Sequence, residues 1–158
     1  MPIFTSTITE AFTATSGTFN STKTLSISSV EHVTKRIVGC KTAVQTRLAT
    51  FAAANSTSAA AHKIDDVKYI RVTNLHGTDT ISLGVVGAAS SHSLIIAAGE
   101  SWVIGSPDNA YLAEADVHPA HTGYADITAL EAEKVTSGVA QVEIVIATPF
   151  IPIMKELA

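Results

Sequence analysis

His118 and His121 are the side chains whose spacing first suggests chemistry. They lie three residues apart with Asp116 nearby, and imidazole and carboxylate groups are common zinc ligands. An i, i+3 pair converges on a helix, but Pro119 lies between the two histidines and makes a regular helix doubtful there. A structural zinc site also needs about four ligands. We therefore interpret these residues as solvated loop side chains and expect no bound metal and no cofactor.

A further histidine, His92, lies between Gly87 and the pair Glu100 and Gly105. The order of these four residues resembles the first metal-binding motif of the cupin enzymes. The motif carries another histidine two residues after the first, and in this sequence that position is Leu94. Because a leucine cannot ligate a metal, the ligand set that such chemistry requires is not assembled.

The nucleophiles and carboxylates give no stronger signal. The sequence has no Gly-x-Ser-x-Gly elbow and no glycine-rich phosphate loop. Cys40, the single cysteine, excludes an internal disulfide, and one neighbouring lysine is weak evidence for a reactive thiolate. The carboxylate pairs Asp65–Asp66 and Glu131/Glu133 are each explained by a solvated face. We therefore predict that the chain is not an enzyme.

Length and composition indicate one globular domain. The chain has 158 residues, of which 46% are hydrophobic and 15% charged, enough to bury a core without staples. The net charge of −4 and the absence of an Arg/Lys run argue against a nucleic-acid partner. No continuous apolar stretch is long enough to span a membrane, and the polar residues after Met1 do not resemble a secretory signal.

Period-two alternation of apolar side chains predicts β-strands as the positioning elements. These strands are expected near 67–74, 79–86, 93–97, 101–105 and 140–148. Asn74 and Asp79 can hydrogen-bond their own backbone around Gly77, so the first two strands are predicted to form a hairpin. The turn Ala98-Gly-Glu100 predicts a second hairpin, between the third and fourth strands.

Two segments, 44–61 and 126–135, are ambiguous between strand and helix. Val44, Thr46 and Leu48 alternate, whereas Val44, Leu48 and Phe51 have helical spacing. The later segment contains LEAEK, a run of high helix propensity, yet it also alternates. In this β context we favour a strand over 41–51, a surface loop or short helix over 52–62, and a strand–turn–strand pair for 126–148.

Turns every eight to twelve residues and about eight strands indicate an all-β fold: a single antiparallel β-sandwich or jelly roll. We assign residues 23–148 to this domain, 1–22 to an N-terminal arm and 149–158 to a C-terminal arm. The core candidates in the first part of the domain are Leu25, Ile27, Val30, Val33, Ile37 and Val38.

Both arms contain large apolar side chains, but neither arm is suited to form a central strand of a sheet. Pro149 and Pro152 prevent the C-terminal arm from continuing one, so its apolar side chains either fold back on the same sandwich or lie on a neighbouring subunit. We favour an intermolecular interface. The residues predicted to form it are Phe4, Ile8, Phe12, Phe150, Ile151, Ile153 and Met154.

The segments KYIRVTNLHGTDTISLGVV, SLIIAAGESWVI and ADITALEAEKVTSGVAQVEIVIAT together resemble the small β-sandwich structural proteins of tailed bacteriophages. The match covers residues 67–148. The resemblance implies a virion component without catalytic residues: a capsid decoration, or cement, protein that bridges major capsid subunits and stabilises the head. It implies as partners the major capsid protein or other virion proteins, and copies of the chain itself, with a trimer favoured. The expected location is the virion, assembled in the host cytoplasm.

Two other functions remain open. One is a tail or head–tail connector subunit, which the same resemblance would cover. The other is a jelly-roll module that binds a small ligand or carbohydrate. A carbohydrate site would need clustered exposed aromatic rings, and beyond the phenylalanines the sequence offers Trp102, Tyr69, Tyr111 and Tyr124.

Overall fold

The computed structural model describes residues 2–15, 17–53, 55–58, 60–88, 90–108, 110–112 and 124–149. Its regular elements are strands and one short 3₁₀ helix, Ile64–Asp66. The strands are β1 (Ile3–Ala14), β2 (Gly17–Ser28), β3 (His32–Lys41), β4 (Thr46–Ala52), β5 (His62–Lys63), β6 (Tyr69–Asn74), β7 (Ile81–Gly87), β8 (Ser91–Ile96), β9 (Ser101–Ile104), β10 (Tyr111–Leu112), β11 (Tyr124–Ala125), β12 (Ile127–Lys134) and β13 (Val139–Thr148).

Two sheets form the body of the molecule. Sheet A has the order β3-β13-β6-β9, and sheet B has the order β5-β4-β12-β7-β8. All their pairs are antiparallel except the short parallel contact of β5 with β4. The last two strands thus lie in different sheets and between earlier strands. β12 lies between β4 and β7 in sheet B, and β13 lies between β3 and β6 in sheet A. This is the strand order of a jelly roll, and it confirms the predicted all-β sandwich.

The core lies between the two sheets and is entirely apolar. Ile70, Val72 and Val142 enter it from sheet A, and Leu83 and Leu130 enter it from sheet B, all with no exposed surface. Full burial of such a side chain contributes about 1.5–3 kcal/mol. Among the described residues this cluster contains no charged or amide side chain, so packing holds the two sheets together at their centre.

Both ambiguous segments contain strands, as predicted. β12 is bonded on one side to β4 and on the other to β7, and Leu130 and Ala132 are buried in the core. Ladder hydrogen bonds on both edges together with this burial outweigh the helix propensity of LEAEK, which is worth only tenths of a kcal/mol per residue. The five other predicted strands are confirmed, with ends shifted by up to two residues.

The two predicted hairpins are wrong, as is the pairing expected within 126–148. β6 is bonded to β13 and β9, and β7 to β12 and β8. The connections from β6 to β7, from β8 to β9 and from β12 to β13 each cross from one sheet to the other. Alternation identifies a strand and the faces it presents, but it does not show which strand bonds to its edges.

Some core candidates were also wrong. Leu25, Val33 and Ile37 are exposed, whereas Val30 is buried and Val38 packs against the core. The exposed residues lie on outward faces, because β2 belongs to a separate hairpin with β1 and because β3 alternates between the core and the outer side of sheet A.

Asn74 joins two of the crossing connections. It is fully buried, and its Nδ2 donates to the carbonyl oxygens of Asp79 at 2.8 Å, Ile96 at 3.1 Å and Ala97 at 3.1 Å. Its Oδ1 accepts from the backbone N–H of His76 at 3.0 Å, the local turn contact that the sequence predicts. One amide group therefore ties the β6–β7 connection to the end of β8.

Asn74→Ala should destabilise the fold strongly, because it removes the side-chain donor to the Ile96 carbonyl in a buried bond and to the Asp79 carbonyl in a part-buried one. Each unsatisfied buried group costs about 1–3 kcal/mol. Thr73→Ala is the matched control, since the Thr73 hydroxyl bonds to Ser101 at an exposed site and should change stability by less than about 1 kcal/mol. Urea unfolding measures both. Equal losses in the two variants would contradict the structural role of Asn74.

Lys134 holds a third connection in place. Its side chain is almost completely buried, and its Nζ lies 2.7 Å from Oδ2 of Asp79 and donates to the carbonyl oxygen of Ser137 at 2.9 Å. The β12–β13 turn is thereby fastened to the β6–β7 connection. The hydrogen bond from Lys134 is the main cause that lowers the pKa of the Asp79 carboxyl below its usual value.

A lowered carboxyl pKa gives a defined dependence of stability on pH. The ionised Asp79 contributes fully above the unfolded-state pKa of about 4, and the contribution is lost as the pH falls through the lower folded-state pKa. Asp79→Asn should therefore reduce stability at pH 7 and flatten its decline below about pH 4. Asp65→Asn, at an exposed carboxylate, is the control, and urea unfolding between neutral and acidic pH is the measurement. An unchanged acid slope in Asp79→Asn would contradict this.

Candidate functional site

The N-terminal arm is a long β-hairpin. β1 and β2 each contain 12 residues and pair from Ile3 with Ser28 to Ala14 with Gly17. At about 3.4 Å per residue the ribbon is about 40 Å long. The arm predicted over residues 1–22 thus forms part of a paired element that continues to Ser28, and it makes a two-stranded sheet of its own.

The pairing sorts the side chains of this ribbon onto two unlike faces. The polar face carries mainly Thr and Ser, for example Thr9 directly opposite Thr22. The other side, here called the apolar face, includes Phe12 directly opposite Phe19. The residues of the apolar face are Phe4, Ser6, Ile8, Glu10 and Phe12 on β1, and Phe19, Ser21, Lys23, Leu25 and Ile27 on β2.

The base of the apolar face is packed on the outer side of sheet A. The ring centroids of Phe4 and Tyr69 are 4.8 Å apart, and the hydroxyl groups of Ser6 and Tyr69 are 3.1 Å apart. Phe4 and Ile27 pack against a small buried cluster that includes Tyr69 and Val145. The arm is therefore anchored on the sandwich at one end.

Beyond this base the apolar face is exposed. Relative exposure is 55% for Ile8, 63% for Phe12, 60% for Phe19 and 47% for Leu25. Among the described residues, no hydrogen bond, ion pair or ring contact joins this part of the arm to the sandwich. Isolated two-stranded ribbons are at best marginally stable in water, and exposed large apolar side chains grouped on one face mark a candidate interaction site even where polar residues separate them. This surface is the strongest candidate site in the described part of the chain.

The structure brings three of the predicted interface residues together. Phe4, Ile8 and Phe12 share the apolar face, although Phe4 is largely used by the chain's own sandwich. Sequence reasoning missed Phe19 and Leu25. The equal spacing of the two phenylalanines from the closing pair Ala14–Gly17 was the available signal. The other predicted residues lie outside the described part of the chain: Phe150, Ile151, Ile153 and Met154.

A charged cluster lies on the outer side of sheet A. Lys35 Nζ is 2.7 Å from Glu143 Oε2, and Arg71 Nη2 is 2.6 Å from Glu143 Oε1. The hydrogen bond from Lys35, followed by that from Arg71, lowers the pKa of the Glu143 carboxyl. Two cations thus share one carboxylate, and Arg71 Nε is buried without a hydrogen-bond partner in the described structure. The cluster therefore carries excess positive charge and an unsatisfied donor.

Two shallow grooves are the alternatives for a small ligand. The larger, about 200 Å³, lies between β3 and β4 and is lined by Arg36, Arg47 and His62 among others. Burial, and then the charge of Arg36, lower the pKa of His62, which favours the neutral form of this ring. Arg47 is paired with Glu131 at 2.7 Å. Ligand pockets typically enclose about 300–1,000 Å³, so this groove is small.

The residues first considered for catalysis are dispersed. His92 is exposed on β8, while the Glu100 carboxylate accepts from the backbone N–H of Ala97 at 3.2 Å. Burial raises the pKa of the Cys40 thiol, which disfavours a thiolate. Trp102 is half-buried and packs against the core. Within the described ranges no group of His, Cys, Asp or Glu side chains could hold a metal ion.

The histidine pair His118 and His121, with Asp116, lies outside the described residues. Of the tyrosines considered for a carbohydrate site, Tyr69 is buried, Tyr124 is exposed, and the side chain of Tyr111 is likewise outside the described part. The described rings among these four therefore do not form an exposed cluster.

Comparison with known proteins adds no family to this geometry. No protein-family model matches the chain, and no curated protein sequence matches it. No helix in the described ranges has the length and apolar character needed to cross a bilayer. The interpretation of the site therefore depends on the arm and on the sheet beside it.

Proposed function

We propose that the protein is a non-enzymatic structural protein of a tailed-phage virion, a capsid decoration protein that bridges subunits of the shell. One observation carries this proposal. An anchored hairpin arm extends from a densely packed jelly roll and exposes Ile8, Phe12, Phe19 and Leu25 on one face. Such an arm adds contact area to an adjacent subunit, which a closed sandwich alone does not provide.

The mechanism is reinforcement by contacts that exist only in the assembled shell. A subunit that binds the assembled state and not the dissociated one stabilises assembly by mass action. The arm is already paired along its whole length, and its base is fixed by Phe4 against Tyr69. Because less conformational freedom is lost on docking than with a disordered segment, more of the contact energy appears as affinity.

The competing functions draw on different features. A tail or connector subunit would use the same arm, so only its position in the particle separates it from a decoration protein. A ligand-binding module would need a cavity. Between the described sheets the interior is filled by side chains such as Leu83 and Val142, and the grooves outside are shallow. We therefore favour an assembly role.

Localisation in the particle tests the proposal. Antibodies raised against the purified chain should label the head surface of the phage particles that encode it, with a regular copy number by quantitative mass spectrometry of purified virions. Absence from purified virions would overturn the virion assignment. Label confined to the tail would replace decoration by the tail alternative.

Add-back to heads depleted of the protein tests the mechanism. Wild-type protein should bind and raise the temperature at which heads release DNA, because its contacts exist only on the intact shell. Phe12→Ser/Phe19→Ser should weaken binding at least about tenfold, since two large apolar side chains lose their burial. Thr9→Ser/Thr22→Ser changes a facing pair on the polar face and should bind like wild type. Undiminished binding by the phenylalanine variant would exclude the arm from the shell contact.

A further inference from the structure

We infer that the exposed part of the apolar face lies on the outer side of sheet A of a second copy of this chain, so that subunits assemble by exchanging arms. This inference deepens the proposed function and rests on it only in treating the arm as an assembly element. The exchange itself needs no other protein.

The first support is a contact within one chain. The base of the apolar face already packs on the outer side of sheet A, where Phe4 and Ile27 cover Tyr69, Val145 and Ala147. The two surfaces are therefore compatible in shape and polarity. The rest of the apolar face extends beyond its own sheet, and the outer side of the same sheet retains exposed apolar residues at its edges.

The second support is a match of residue pattern and charge. On β1 the apolar face reads Ile8, Glu10, Phe12, and on β3 the outer side of sheet A reads Val33, Lys35, Ile37. Each is an apolar pair four residues apart, about 13 Å along a strand, with one charge midway. The charge is negative on the β1 row and positive on the β3 row, while Lys23 lies on the β2 row of the arm, opposite Ile8.

Exposure shows that both patterns are accessible. Val33 and Ile37 are 51% and 56% exposed, comparable with Ile8 and Phe12 on the arm. Seating β1 against β3 places Glu10 beside Lys35, where two cations share one Glu143 carboxylate. A second carboxylate balances that excess charge. Complementary charges of this kind fix register and partner choice more than they add affinity.

The contact area is sufficient only if the exchange is reciprocal. The exposed part of the arm, about eight residues of each strand, is about 27 Å long and 10 Å wide, or about 270 Å² per face. A single arm on a single sheet covers well under 1,000 Å², whereas two exchanged arms with the two sheets they cover bury about 1,100 Å². Specific interfaces begin at about 1,000 Å². The assembly is therefore closed, with each copy donating one arm and receiving one.

The oligomeric state of the purified full chain tests the exchange in solution. Sedimentation equilibrium should show a reversible oligomer. In Phe12→Ser/Phe19→Ser the dissociation constant should rise at least about tenfold, and Thr9→Ser/Thr22→Ser should behave as wild type. The melting temperature of the phenylalanine variant at low concentration should be unchanged, because neither ring contacts the described sandwich. A monomeric wild type at high concentration, or an oligomer insensitive to the phenylalanine variant, would overturn the inference.

A disulfide between two different variants tests the arrangement. Phe12→Cys protein should form a cross-linked heterodimer under mild oxidation with Ile37→Cys protein if β1 lies parallel to β3, or with Val33→Cys protein if it lies antiparallel, while native Cys40 is buried and does not compete. Phe12→Cys alone should remain largely uncross-linked. Efficient cross-linking of Phe12→Cys with itself, and none in either mixture, would show that arms pack on arms and would overturn the sheet A assignment.

These outcomes are separable from those of the proposed function. A chain that exchanges arms yet is absent from virions would refute the virion assignment and keep the exchange. A monomer that binds phage heads through Phe12 and Phe19 would refute the exchange and keep the decoration role.

Discussion

The side-chain amide of Asn74 is the polar interaction on which the jelly-roll path depends. In this topology the chain leaves one sheet and enters the other at nearly every connection, and each crossing removes backbone groups from the ladders that would otherwise satisfy them. Buried carbonyl groups without donors are costly. Asn74 supplies donors for the carbonyl oxygens of Asp79, Ile96 and Ala97, and Lys134 has the same role at the β12–β13 connection. The apolar core determines that two sheets pack together, and these polar groups hold the crossings at one end.

In the arm the situation is reversed, because the side chains and not the backbone groups lack partners. Its backbone is satisfied within the ribbon, since β1 and β2 pair along their whole length, but its side chains lack a core. One face is almost uniformly Thr and Ser and needs none. The other carries Phe12 and Phe19 with nothing described above them. A surface whose backbone hydrogen bonds are complete but whose side chains are unpacked favours association with another subunit through those side chains.

Most strands of the sandwich and the fold class were predictable from sequence because both depend on local alternation and turn residues, whereas the pairing of the arm as β1 and β2 was not predicted. Even β12 was predictable against its helix propensity, because its residues alternate and place Leu130 and Ala132 on one face. Pairing was not predictable: residues 67–86 have the pattern of a hairpin, but β6 and β7 belong to different sheets. Partner choice depends on contacts far apart in the chain. Phe4, Ile8 and Phe12 could be proposed as interface residues from the sequence of the arm. Phe19 and Leu25 could be added only from the register of β1 with β2, which places them on the same face.

The length of the arm has a consequence for the order of folding. Pairing of β1 with β2 is local in sequence, and hairpins form in about 1–10 μs. The sandwich pairs β3 with β13, and folds dominated by such distant contacts take milliseconds to seconds. For most of that interval the hairpin forms and opens without its anchoring sheet, and its exposed apolar side chains are prone to aggregation. On the apolar face, Glu10 lies between Ile8 and Phe12 on β1, and Lys23 lies next to Leu25 on β2. Charged residues at such positions interrupt apolar segments and oppose aggregation. The same two charges that leave the apolar face discontinuous in the finished subunit therefore protect the chain while it folds.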